Sequence, residues 1–247
     1  MKEPRITIDT YHEHMCEAFA ALRFGLASFE KAEESQDDSA GRNWLYVEAG
    51  MQCRYAFLLA ANALESAANA LLLGLKTSVP LYEDLERLPT LLKFEVVCMA
   101  YGKKLDRGSN LYANIKDVVK CRNEFVHPKP REAAGILTNN GKDVEINVTR
   151  TRARNYPIYF GIFEPKHARQ AIGDILAFLS WVVFDICRFP IMKGTMLLGR
   201  DSYGSTGDVI ILAHKYGFDT RTFGESKHKR RTIAFTIRSK RRGHNVR

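Results

Sequence analysis

Apolar residues recur every three or four positions through most of the first half of the chain, the spacing of helices that each bury one face. Phe19, Leu22, Leu26 and Phe29 make the first stripe, on a helix that Asp9 or Thr10 can cap and that runs to about Glu34. A polar loop over 33–42 separates it from a long helix, about Asn43 to Leu75, whose alanines at 56, 60, 61, 63, 67, 68 and 70 allow neighbours to approach closely. Val79-Pro80 and Leu88-Pro89 punctuate a connection to a helix from about Thr90 to Lys103. The turn Arg107-Gly108-Ser109-Asn110 then opens a helix carrying Leu111, Ile115 and Val118, which Pro128 stops. After that proline the period changes. Gly135 to Thr138, the turn Asn139-Asn140-Gly141, and the alternation Val144, Ile146, Val148 predict a β-hairpin. Pro165 suits the first turn of a last long helix, to about Phe189, with Ile172, Leu176, Leu179, Val183 and Ile186 as its core stripe. Phe178, Trp181 and Phe184 read there as packing residues. From Met192 the chain is glycine-punctuated, with an apolar run at Val209-Ile210-Ile211-Leu212 and an alternating segment from Thr232 to Ile237.

Three departures from this pattern are candidates for chemistry. Arg122 falls on the Leu111–Ile115–Val118 stripe about three turns on, where a guanidinium aimed at a core or an interface needs a partner. Asn62, Glu65 and Asn69 draw a polar line along the long helix at steps of three and four. That line is either a solvent face or a row that turns Glu65 towards Arg122 as its counter-ion. Arg150, Arg152 and Arg154 continue the parity of the hairpin strand, so they form either a ladder for phosphates or a charged guard on an edge strand.

Arg122-Asn123-Glu124-Phe125-Val126-His127 resembles the R-x(4–6)-H motif of the HEPN superfamily, with the polar residue that those proteins often place after the arginine. Tyr55 to Leu72 is similar to that family's early core helix, and the resemblance covers roughly residues 44–190. Arg221 to His228 and Arg238 to His244 match the spacing too, but lie in a polar, basic region without helical periodicity. To the chain's own pattern of an inserted hairpin at about 135–160, an N-terminal helix over 1–43 packed on the bundle and a basic extension over 191–247, the resemblance adds a mostly α-helical, up-and-down bundle over 44–190. It also implies a metal-independent endoribonuclease needing no cofactor, in which two motifs of a homodimer line one cleft. Arg122 and His127 would be catalytic, Asn123 supporting, and Glu65 an orienter of the guanidinium. The family's settings are toxin–antitoxin, antiviral and stress systems, in which an antitoxin or regulatory protein is a further partner.

Histidine suits the proton transfers of such a reaction because it titrates near neutrality, and arginine suits the phosphorane because its planar fork donates two hydrogen bonds. Charge adds the nucleic acid. Residues 221–247 hold ten basic residues against one acid, Glu225, so this segment carries the whole net charge of +9. A neutral body with a cationic tail points to RNA as partner, contacted through Lys129, Arg150, Arg152 and Arg154 and through Lys227, Lys229, Arg230, Arg231, Arg238, Lys240, Arg241 and Arg242. The alternatives are a non-catalytic HEPN-like nucleotide- or RNA-binding module, and a scaffold in which Arg122 merely pairs with Glu65. Five cysteines without a C-x-x-C pair, each within a helical or apolar pattern, read as reduced core residues of a cytoplasmic protein. Asn62, Glu65, Ser66 and Asn69 argue against a membrane span in the apolar stretch 55–75. His12 and His14 lack the further ligands of a metal site.

Overall fold

The computed structural model describes residues 10–35, 40–128, 135–137, 144–146, 149–159, 162–190, 194, 197–198 and 209–218. They form a helical bundle. Helix α1 (Tyr11–Glu34) lies along α2 (Ala40–Leu73), and α2 also touches α3 (Val79–Glu86), α4 (Thr90–Ala100), α5 (Asn110–Val126) and α6 (Pro165–Ser180). The last helix, α7 (Val209–Lys215), packs on α1.

The alanine-rich sequence of α2 explains its central place. Ala56, Ala60, Ala63, Ala67 and Ala68 are buried, and small side chains leave room for a neighbour on more than one face. At Gly25 of α1 the approach is close: a Cβ there would stand 2.5 Å from the Cys53 sulfur of α2. By length and composition α2 could cross a membrane, but 61% of its apolar window is buried within the bundle, as in a core helix.

Several local expectations are revised. The connection after α2 contains the short helix α3, with Pro80 in its first turn. Helix α4 ends at Ala100 rather than near Lys103. The helix opened by Pro165 leaves α geometry at Ser180 and winds on from Trp181 to Ile186 as a π-helix. Ile172, Leu176, Leu179, Val183 and Ile186 nevertheless all reach the core. Thr10 begins α1 without a side-chain cap; its hydroxyl instead meets that of Ser66 on α2 at 2.9 Å. Asp9 lies outside the described residues.

Gly135–Leu137 (β1) and Val144–Ile146 (β2) are three-residue strands paired antiparallel. The alternation does not continue through the arginines that follow. Arg150 makes a single bridge with Pro157, and residues 152–154 form a turn. Two carboxylates fix this turn to the bundle. Asp117 of α5 accepts the backbone N–H of Ala153 at 2.6 Å and that of Arg154 at 2.7 Å. Asp174 of α6 takes both forks of the Arg154 guanidinium, with Nε at 2.7 Å from Oδ2. Paired hydrogen bonds to ionised oxygens outweigh a further two residues of edge-strand ladder.

Candidate functional site

Ser109 caps α5, accepting the Tyr112 N–H at 3.2 Å, and Ile115, Val118, Cys121 and Phe125 seat the helix in the core. Phe125 secures its C-terminal end. Its ring lies 5.4 Å from those of Phe57 on α2 and Phe163, in edge-on contacts, with Tyr156 closing the cluster against Phe57 at 6.2 Å. This cluster holds Arg122 and His127, either side of Phe125, at a defined place beside α2.

Arg122 occupies the rim of its stripe rather than the core. Its side chain is 29% exposed, and Nη1 donates to the Asn123 Oδ1 at 3.2 Å. Nη2 lies 3.9 Å from Glu65 Oε2, close enough for charge attraction but too far for a hydrogen bond. His127 is the C-cap of α5. Its backbone leaves helical geometry at φ −122° and ψ 65° while its N–H still reaches the Asn123 carbonyl at 2.9 Å. Departure at that residue is what Pro128 imposes. His127 and Asn123 are both exposed, so an imidazole and a carboxamide open to solvent share the helix end with a half-exposed guanidinium.

Glu65 is held chiefly from α4. Lys93 donates to its Oε1 at 2.8 Å, and the Thr90 hydroxyl donates to Oε2 at 3.2 Å. Thr90 and Lys93 are three apart in the first turns of α4, so they present one face, and the helix N-terminus adds favourable dipole there. Burial alone would raise the Glu65 carboxyl, but the hydrogen bond and charge of Lys93, the charge of Arg122 and the Thr90 hydrogen bond outweigh it and hold the group below its usual range. The polar line on α2 is therefore neither plainly solvated nor plainly buried: Asn62, Glu65 and Asn69 are all half-buried, and Asn69 Oδ1 has no hydrogen-bond partner among the described residues.

Trp44, Val47, Met51 and Tyr55 extend the same face of α2 towards its N-terminus, since about five turns separate Trp44 from Asn62. These four are exposed, Trp44 at 61% and Tyr55 at 52%. An apolar stripe left open to water thus runs down the helix that carries Glu65.

The proposed phosphate ladder is not assembled. Arg154 is engaged with Asp174, and Arg150 donates to the Asn155 carbonyl at 3.1 Å, leaving only Arg152 exposed without a described tie. Lys129 and the basic residues 227–242 lie outside the described residues. Sequence reasoning missed Lys93 and Thr90. Their only signal was a lysine interrupting the apolar run Leu91-Leu92-Lys93-Phe94. It equally missed Asp174, placed between Ile172 and Ile175 in a core stripe.

Compared with protein-family models, with curated proteins and with solved structures, the chain finds no match.

Proposed function

We propose that the chain is a metal-independent endoribonuclease of HEPN type, acting as a homodimer through Arg122 and His127. The observation that carries this reading is the end of α5, where a half-exposed arginine held by Asn123 and facing Glu65 precedes an exposed histidine at the helix cap. In the reaction, the imidazole takes the proton of a ribose 2′-hydroxyl, which attacks the adjacent phosphorus. The guanidinium donates to the non-bridging oxygens as negative charge builds, and the 5′-oxygen leaves with a proton, giving a 2′,3′-cyclic phosphate. One histidine cannot be base and acid at the same moment, so a second copy supplies the other. The exposed stripe Trp44, Val47, Met51 and Tyr55 supports that dimer, because it offers apolar surface on the face that leads to Glu65. With this reading go an up-and-down HEPN bundle with its hairpin insertion, a cytoplasmic setting in a toxin, antiviral or stress system, and a tail that raises affinity for RNA and loses it steeply with salt.

The test is cleavage of total RNA in EDTA by the wild type, Arg122→Ala and His127→Ala, with end-group analysis. Each substitution is expected to reduce chelator-resistant cleavage by at least about a hundredfold. A wild type that binds RNA and leaves it intact would replace the enzyme by an RNA-binding module.

A further inference from the structure

Arg122 and Glu65 face one another across α5 and α2, yet stand 3.9 Å apart, and Lys93 accounts for the gap. The Lys93 side chain is 2% exposed, so its ammonium has essentially no water and must take a carboxylate. Glu65, itself 33% exposed, is the carboxylate it takes, at 2.8 Å. Thr90 occupies a second acceptor position, on the very oxygen that faces Arg122. Glu65 is thereby committed to α4 in both charge and direction.

Lys93, Glu65 and Arg122 together sum to one positive charge. Lys93 is sealed within the bundle and Glu65 is neutralised by it, so the surplus resides on Arg122, the member whose guanidinium reaches solvent. Among the described residues that guanidinium hydrogen-bonds only to Asn123 Oδ1, a neutral acceptor that orients it without cancelling its charge. A planar fork at a solvent rim, its charge only partly offset by a carboxylate already paired with Lys93, fits the oxygens of a phosphate group.

We propose that Lys93 is a positioning residue for the Arg122 site: by occupying Glu65 it keeps that carboxylate from closing on Arg122, which is left to bind the phosphate of the substrate. The inference rests on the ribonuclease reading only in taking Arg122 as the phosphate-binding group. Without Lys93, Glu65 turns to Arg122 and becomes an internal competitor for every anion that approaches it. Removing the Glu65 charge as well lifts that competition, so the loss caused by the first substitution is undone by the second.

The experiment is a titration of inorganic phosphate into the isotope-labelled full chain, following the Arg122 side-chain N–H resonance so that binding at other basic residues is not counted, alongside RNA cleavage in EDTA. Lys93→Met should weaken phosphate binding at Arg122 by about tenfold and slow cleavage in proportion. Lys93→Met combined with Glu65→Gln should restore both to within about threefold of the wild type. A merely structural lysine predicts the opposite order, with the double variant no better than the single one. That result, or wild-type affinity in Lys93→Met, would overturn the role of Lys93, while cleavage by the wild type together with its Arg122 response keeps the ribonuclease reading. If phosphate leaves the Arg122 resonance of the wild type unmoved and RNA stays intact, both fail together.

Discussion

Two carboxylates in this bundle each meet an arginine, with opposite results. Asp174 is 4% exposed in its side chain and captures Arg154 by both forks, while also accepting from Tyr156 Oη at 3.1 Å and Asn114 Nδ2 at 3.2 Å. Glu65 is half-buried and leaves Arg122 at 3.9 Å. The residue types are nearly the same. What differs is the third partner: among the described residues the other groups on Asp174 are neutral and the guanidinium is its only counter-charge, whereas Lys93 supplies that charge to Glu65. One cluster becomes a tie between the 149–158 segment and the core, the other a cation held at the rim. Burial still dominates at Asp174, pushing its carboxyl above the usual range although Arg154, Tyr156 and Asn114 pull it back. The tie therefore secures geometry more than it adds net stability.

Breaking the closed cluster should give the largest change in stability. Asp174→Ala leaves Arg154, Tyr156 and Asn114 without their acceptor and is expected to cost about 3–5 kcal/mol in denaturant unfolding, with RNA cleavage by the remaining folded protein little altered. Glu65→Gln leaves the Lys93 ammonium buried without a counter-charge, for about 2–3 kcal/mol, whereas Lys93→Met leaves a carboxylate that solvent can reach and should cost about 1 kcal/mol. Equal losses for these two variants would contradict the difference in burial on which the comparison rests.

A pH series sharpens the contrast further. His167 accepts the Glu164 N–H on Nδ1 at 3.0 Å, which requires an unprotonated nitrogen, and burial pushes its pKa down to about 4. The unfolded chain binds this proton at ordinary histidine values and the folded chain does not. Stability is therefore full above pH 6.5 and falls as pH drops towards 4, by at most about 3 kcal/mol. His167→Gln should flatten that slope. Glu65, held below its usual range, adds its own loss only as pH falls further, below about 4.5. An effect as small as that of Lys93→Met belongs to the helix that carries the motif: Ser109→Ala removes the cap of α5 and should cost about 1 kcal/mol, read as a lower melting temperature with Arg122 chemistry intact.

Periodicity and punctuation alone carried α1, α2, α4, α5 and α6, because each buries apolar residues against a common core, and a stripe is written into the spacing of Ile172, Leu176 and Leu179 or of Ile115 and Val118. The Ser109 cap and the stop before Pro128 were equally local, and so was the placing of Arg122, Asn123 and His127 at one helix end. Everything that required a residue distant in the chain was decided by the tertiary structure. Arg154 could not be known to turn inward, since the carboxylate that draws it lies on another helix and its own segment reads as a strand. Helix α3 and the π-helical turn after Ser180 depend on what α2, α4 and α6 pack against rather than on their own spacing. Most of all, whether Glu65 serves Arg122 or Lys93 is a contest between two cations of equal charge. Burial of the Lys93 ammonium settles it, and burial is a property of the assembled bundle rather than of any one stretch of its sequence.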